Sequence, residues 1–459
     1  MNAPVDVGLA VPLRTAPTAG SGRLGGHAVV VGGSMTGLLA ARVVSEHFSA
    51  VTVLDRDELP TGPVPRKAVP QGRHIHFLQE AGRARLEELF PGFTDEVLAA
   101  GGVGFDPGRS LVWHLGGGYV RRTSSPYRML WATRPLFEWC VRRRVSSIGT
   151  VSVRSGCTVR ELVASPSGDR VVGVEVTDGA GGGTTRLDAD LVVDARGRGS
   201  AVASWLEQAG YGPVPRDEVR VGIGYSSRFY ARESIDWDRA AIGIQHAAPD
   251  GRQGMVVPVE GDRWMVTLTG RLGNLPPSDD AGFLEFARTF AASDIHDAIR
   301  GLEPVSPIVT HRFPAGVRHR YERLPRFPER LIVMGDAIAS YNPTYGQGIS
   351  SAAMQATDLR RALGETGLEQ LATRFFRRAA RSIDIPWTVA VGGDFRFPAT
   401  EGRKPIGTAL TNRYLARLER GLHHDEEIVR AFGRVINLER PSSSLLHPRI
   451  VRRVLRAAA

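Results

Sequence analysis

At 459 residues and 42% hydrophobic content the chain is long enough for about two to three domains with a sizeable core, and no apolar run approaches the roughly 20 residues that span a bilayer. The net charge of +10 comes almost wholly from arginine, Lys67 and Lys404 being the only lysines; the cations are scattered, which argues against a nucleic-acid-binding face and reads as compositional bias. Two cysteines, Cys140 and Cys157, supply neither a disulfide framework nor metal-ligand spacing, and they fit a reducing cytoplasm.

Residues 1–26 are rich in Ala, Pro, Gly and Thr and lack the basic start and apolar core of a signal peptide, so a flexible tail is expected. Residues 27–31 read as a short apolar strand. The turn Gly32-Gly33-Ser34-Met35-Thr36-Gly37 follows, then a helical run over 38–44 and a second strand, 51–54, ending at Asp55 and Arg56. This is the strand–turn–helix–strand context that a G-x-G-x-x-G fingerprint requires. Gly32 permits the tight turn, Gly37 lets helix and strand approach, and the helix N-terminus offers free N–H groups to a pyrophosphate. Asp55, 18 residues after Gly37, stands where an acid accepts hydrogen bonds from a ribose. The middle glycine is replaced by Ser34, which is still small enough for close backbone approach.

A proline-rich connection, 60–71, carries Arg66, Lys67 and Gln71 and leads to His74 and His76, ahead of an amphipathic helix over 78–90. Arg66 and Lys67 are placed to steer phosphates or to face solvent, and the two histidines to act in acid–base chemistry or to pack beneath a cofactor. Short strands over 111–120 bracket a glycine turn at 116–118. A helix over 134–145 begins at Arg134. Strands over 171–176 and 187–193 flank a polar turn containing Gly181-Gly182-Gly183, and the second runs into Asp194-Ala195-Arg196-Gly197-Arg198-Gly199-Ser200.

From about 216 to 324 the texture changes to alternating strands at 219–230, 241–246, 254–259 and 264–269, then a helix over 283–290. Phe229, Met255, Val257, Val259 and Trp264 become candidates for a substrate wall, or are ordinary core positions. A buried strand at 331–334 then enters Gly335-Asp336 and, further on, Asn342-Pro343-Thr344-Tyr345-Gly346-Gln347-Gly348-Ile349-Ser350. The remainder reads as Arg-rich helices at 348–363, 368–383, 410–422 and 425–437, with Pro386 and Pro405 as breaks.

The Gly32–Gly37 turn, Asp194–Ser200 and Gly335–Ser350 together resemble the single-component flavin monooxygenases of the para-hydroxybenzoate hydroxylase fold. With Arg66-Lys67-Ala68-Val69-Pro70-Gln71-Gly72-Arg73-His74-Ile75-His76 they look like the FAD epoxidases of polyether-antibiotic pathways, relatives of squalene epoxidase. The resemblance covers about residues 27–360. It implies an α/β chain: a Rossmann-like FAD-binding domain in two parts (27–215 and 325–365), an inserted antiparallel β-sheet substrate domain (216–324) and a C-terminal helical region (366–459).

It also implies roles. Asp336 would accept hydrogen bonds from the ribityl chain, or serve as a plain helix cap. Pro343 would sit by the isoalloxazine ring, with the backbone of Gly346, Gln347, Gly348 and Ile349 facing N1 and the C2 carbonyl, where reduced flavin carries negative charge. Arg134 matches the family's FAD-contacting arginine, and Asp194 and Gly197 the motif near FAD and the nicotinamide donor. No side-chain catalyst is assigned and no metal. The family uses NAD(P)H to reduce the flavin and O2 to form a C4a-hydroperoxide, whose distal oxygen passes to an electron-rich carbon. The expected partners are a small apolar polyketide- or terpenoid-like substrate and, alternatively to direct reduction, a separate flavin reductase. A non-redox cyclase and a prenyl-chain reductase remain as alternatives. A halogenase lacks its W-x-W-x-I-P motif here.

Overall fold

The computed structural model describes residues 22–179, 182–271 and 273–457. The expected N-terminal tail lies outside the described residues as far as residue 21; Gly25 already opens the first strand.

A five-stranded sheet, all parallel, orders its strands Leu331–Val333, Leu191–Asp194, Gly25–Val31, Phe48–Leu54 and Val151–Arg154. The central strands are near-continuous Val, Ile and Leu because both faces are covered, one by helices and the other by the strands Cys157–Ala164 and Val171–Asp178. The helices Met35–Val44 and Gly348–Thr366 pack together on one side, and Arg134–Ser146 flanks the first of them. In register, Val31 lies beside both Asp194 and Leu54, and Asp194 lies beside Val333. The C-terminal ends of these strands are therefore level. The turns at Gly32, Ala195 and Met334 leave from one edge, where open parallel sheets of this kind bind ligands.

The second large sheet, nine strands among the described residues, runs Ala339–Ser340, Val309–His319, Arg216–Ala231, Arg263–Arg271, Gln253–Val259, Ala241–Gln245, Leu111–Leu115, Gly118–Tyr119, with Glu401–Gly402 also on Arg216–Ala231. It is antiparallel except where Leu111–Leu115 joins Ala241–Gln245. It thus draws in strands from outside 216–324. The helices Asp280–Arg288 and Asp294–Ile299 cover one face through Phe283, Phe286 and Ile295. The other face looks toward the strand ends of the parallel sheet. A small antiparallel sheet, Cys157–Ala164, Val171–Asp178 and Thr184–Asp188, completes the first part.

Two sequence expectations change. The strand expected over 187–193 is two strands in two sheets, broken at Ala189-Asp190. Asp190 accepts from the backbone N–H of Gly26 at 2.7 Å and of His27 at 3.2 Å, which fixes the elbow. Pro386 does not end a helix. It lies inside Leu371–Asp394, where buried Ile383, Trp387 and Ala390 anchor the turns on either side and offset the missing N–H bond. The C-terminal helices Thr408–Gly421, Glu426–Ile436 and Pro448–Arg456 form their own cluster around Leu418, Leu422, Ile428 and Val454, against Leu115.

Candidate cofactor and substrate site

A cavity of about 1560 Å³ runs from the level strand ends to the exposed face of the large sheet. It brings together Gly32, Ser34, Met35, Thr36, Asp55, Arg56, Arg66, Gln71, Arg134, Gly197, Asp336, Pro343, Gly346, Gln347, Gly348, Ile349 and Met255. Most of the predicted cofactor residues, from segments hundreds of positions apart, thus share one surface.

The turn after the first strand is shaped by glycine. Gly32 has φ +106°, and a Cβ there would stand 2.6 Å from the Ala195 carbonyl oxygen. A Cβ at Gly37 would overlap the Gly32 carbonyl oxygen, so only glycine lets this helix begin so close to the strand. Gly33, Gly37 and Gly335 lie behind the lining. Gly335 is packed on Thr36, whose hydroxyl would collide with any Cβ placed there. No side chain caps the N-terminus of Met35–Val44, which leaves its first N–H groups available to an anion.

Ser34 explains its own departure from the fingerprint. Its hydroxyl donates to Glu138 Oε2 at 2.7 Å and accepts from Arg134 Nη2 at 2.8 Å. Glu138 also accepts from Arg66 Nε at 2.8 Å, and Arg66 Nη1 lies 3.1 Å from Asp55. Asp55 accepts from the Gly33 N–H at 2.7 Å, tying the second strand end to the turn. Sequence reasoning misses Glu138. The one signal it offers is its place four residues after Arg134 on one helix face. Arg66 Nη2, Arg134 Nε and Gln347 Oε1 are buried without hydrogen-bond partners among the described residues. Orphaned polar atoms beside a glycine-shaped turn and an uncapped helix are what a bound dinucleotide would satisfy.

The opposite wall is the segment after the Leu331–Val333 strand. Asp336 faces the cavity, and burial raises its pKa against the lowering influence of Arg134 and Arg198. Gly346 has φ +65°, and a Cβ there would come 2.6 Å from Phe77 Cβ, so the glycine is required by backbone and by Phe77. Gly348 opens the helix Gly348–Thr366 onto free space, with no atom within 4 Å of its Cβ position. Behind this segment Asp394 is buried, with Arg271 at 3.2 Å, Asn342 Nδ2 at 2.5 Å and Tyr345 Oη at 3.4 Å. Burial raises its pKa, and Arg271 opposes the rise.

The floor is the large sheet. Two rows cross its strands in register: Ser227, Thr267, Met255, Gly243 and Trp113, and beside them His311, Tyr225, Thr269, Gln253 and Gln245. Gly243 leaves a notch, for its Cβ position meets Trp113 Cδ1 at 3.4 Å and Met255 at 3.7 Å. His74 Nδ1 is 2.8 Å from Ser227 Oγ, which is 2.6 Å from Thr267 Oγ1. Burial, with His311 and Arg73 nearby, lowers the His74 pKa to about 3; burial and Arg134 lower that of His76 to about 3. Both rings are neutral at ordinary pH.

Other predicted residues are elsewhere. Of the proposed substrate wall only Met255 reaches the cavity. Val257 and Phe229 pack in a separate cluster with Val103 and Met265. Trp264 points to the opposite face, among the covering helices, with Arg232 5.8 Å from its ring. Lys67 is exposed and off the lining. Asp194 is fully buried, and its carboxylate is held by Arg196 Nε at 2.8 Å rather than facing the cleft.

A family model described as an FAD binding domain matches residues 27–370. The chain belongs to that FAD-binding family. It is 34% identical over 426 residues to Protein Rv3254 of Mycobacterium tuberculosis, covering 87% of this chain and 88% of that one. It is 27% identical over 350 residues to a kynurenine 3-monooxygenase of Salinispora tropica, covering 71% and 69%. Among solved structures, that of the flavin-dependent brominase Bmp2 superposes with a TM-score of 0.66 at 13% identity, over 94% of this chain and 98% of that one, a likeness of fold. Family and relatives make the chain an FAD-dependent monooxygenase with a Rossmann-like part, an antiparallel sheet and a helical C-terminal region.

Proposed function

We propose that the enzyme inserts one oxygen atom from O2 into a bulky, apolar intermediate of polyketide or terpenoid type, by epoxidation or hydroxylation, with NAD(P)H as electron donor. The observation that carries this reading is the uncharged floor that the large sheet gives the cavity. Arg66 and Arg134 gather at the fingerprint end, Arg396 is bound by Glu419 and Arg271 by Asp394, while Arg198 lies over the Phe313 ring near Asp336 with no carboxylate within 4.0 Å among the described residues. The floor rows are uncharged: Ser, Thr, Met, Gly, Trp, Tyr and Gln, with His311, whose pKa burial and then Arg198 lower. Such a surface accepts an apolar molecule with an occasional hydroxyl or carbonyl. The volume exceeds the roughly 300–1000 Å³ of an ordinary ligand pocket, leaving room for cofactor and substrate together.

Bound FAD would supply electron transfer and oxygen activation. The chain's own residues supply the seat. Arg134, aligned by Ser34 and Glu138, would meet the pyrophosphate; Asp55 the ribose; Asp336 the ribityl hydroxyls; the N-terminus of Gly348–Thr366 the electron-rich edge of the ring. The resemblance to polyene epoxidases tilts the reaction toward alkenes.

The test is anaerobic mixing of the purified protein with NADPH, followed by 18O2 and a panel of polyenes and aromatic polyketides. A product heavier by one labelled oxygen supports the proposal. A gain of two hydrogens assigns a reductase, an isomer of unchanged mass a cyclase, and a halogenated product in the presence of halide a halogenase; each overturns it.

A further inference from the structure

The mouth of the cavity is made by the C-terminal region and is unlike the rest of the surface. Ile406 is fully exposed, Leu410 is 73% exposed and Leu446 60% exposed, and all three line the cavity opening. They lie together: Leu410 and Tyr414 are one turn apart on the helix Thr408–Gly421, and Tyr414 Oη donates to the Leu445 carbonyl at 2.6 Å. The same helix buries Leu418 and, just beyond its end, Leu422, which turns Leu410, Arg413, Arg417 and Arg420 outward at helical spacing. Arg403 and Lys404 stand exposed, separated from Ile406 by Pro405.

Among the described residues none of these five cations has a carboxylate within 4.0 Å, although most arginines of this chain are paired; the neighbouring Glu419 is committed to Arg396. Protruding apolar side chains ringed by unpaired cations are the two components of interfacial attachment to an anionic bilayer: the apolar groups enter the acyl boundary and the cations meet lipid phosphates. The group protrudes instead of forming a groove, which suits a lipid surface better than a complementary protein. Among the described residues no helix is long and apolar enough to cross a membrane, and the attachment inferred from this surface is peripheral.

We propose that this mouth docks on an anionic membrane surface through Ile406, Leu410 and Leu446 and a cationic collar of Arg403, Lys404, Arg413 and Arg417. Docking would open the cavity directly onto the layer in which an apolar substrate dissolves; that consequence rests on the proposed function, whereas the docking itself does not.

The experiment is co-sedimentation of the full chain with vesicles of phosphatidylcholine alone and with 30 mol% phosphatidylglycerol (on the order of a strongly anionic leaflet), across a salt series. The expected result is binding to the anionic vesicles only. It should weaken about tenfold or more in the double variant Ile406→Asp/Leu410→Asp, and show a shallower salt dependence in Arg413→Gln/Arg417→Gln. Far-UV circular dichroism confirms that the variants are folded. Absence of binding at low salt overturns the proposal and leaves the face to an acidic protein. Binding that is indifferent to the double Asp variant overturns it too, since it would then be adsorption by net charge. Neither outcome bears on oxygen insertion, which is read from product mass.

Discussion

Asn342 Nδ2 donates to Asp394 Oδ1 at 2.5 Å, joining the segment before Pro343 to the last residue of the helix Leu371–Asp394. Arg271 reaches the same carboxylate from the large sheet, so one buried acid ties together the proposed flavin-facing loop, the floor and the C-terminal region. Asp394→Ala strands the Arg271 guanidinium in the interior and should cost about 3–5 kcal/mol. Urea denaturation measures it, and a loss below about 1 kcal/mol would show that the network is not structural. Asn342→Ala leaves the ion pair in place and should cost less, while still loosening the loop and lowering flavin content.

The Ser34 hydroxyl aligns Arg134 and Glu138, so Ser34→Ala should raise the Kd for FAD about tenfold, or about 1.4 kcal/mol. Ser34→Gly restores the fingerprint glycine yet should weaken binding similarly, because the hydroxyl is lost. Titration of the apoprotein with FAD decides; tighter binding by Ser34→Gly would mean that the serine is merely tolerated.

At Gly346 two constraints coincide, and they separate experimentally. Gly346→Ala forces a methyl against Phe77 and an L-residue into left-handed backbone, the latter alone costing about 1–2 kcal/mol. Adding Phe77→Ala should return part of the lost stability but not all. Thermal melts of the single and double variants check this. Full recovery would assign the whole effect to Phe77.

His74 makes stability depend on pH in a known direction. Its folded pKa of about 3 lies below the unfolded value near 6.5. Above pH 6.5 the ring is neutral in both states and nothing is lost. Between 6.5 and 3 the unfolded chain binds the extra proton, and stability falls by about 1.4 kcal/mol per pH unit for this one group. His74→Gln should flatten the slope of urea midpoints between pH 7.5 and 5 by one proton's worth, with His76 and the other histidines whose pKa burial lowers, His311 and His319 among them, contributing to what remains. An unchanged slope would show that His74 is already solvated.

Much of the fold is legible in the sequence because its signals are local. The Val-rich strand of Gly25–Val31, the glycine turn and the run to Asp55 announce themselves by period and by residues with special backbone freedom. The Val151–Arg154 strand does not, being an edge strand with polar Ser152 and Arg154. The substrate wall fails for a different reason. Alternation puts Trp264 on the helix-covered face, whereas Val257 and Phe229 share the face of Met255 but lie further along the strands, where Val103 and Trp131 cover them, and position along a strand leaves no mark on its pattern. The real floor residues, Gln245, Gln253, Thr269 and Tyr225, are polar or amphipathic and read as ordinary strand positions. Glu138 and Asp394 gain their importance only from partners far away in the chain.

The bare backbone at Gly243 acts as an adjustable gauge in the middle of the floor. Because the nearest atoms sit at ordinary contact distance, successive Ala, Val and Leu substitutions there would narrow the chamber step by step at the Trp113 and Met255 side chains. The enzyme's tolerance for wide or narrow molecules would then be tunable at a single position, with the redox machinery left as it is.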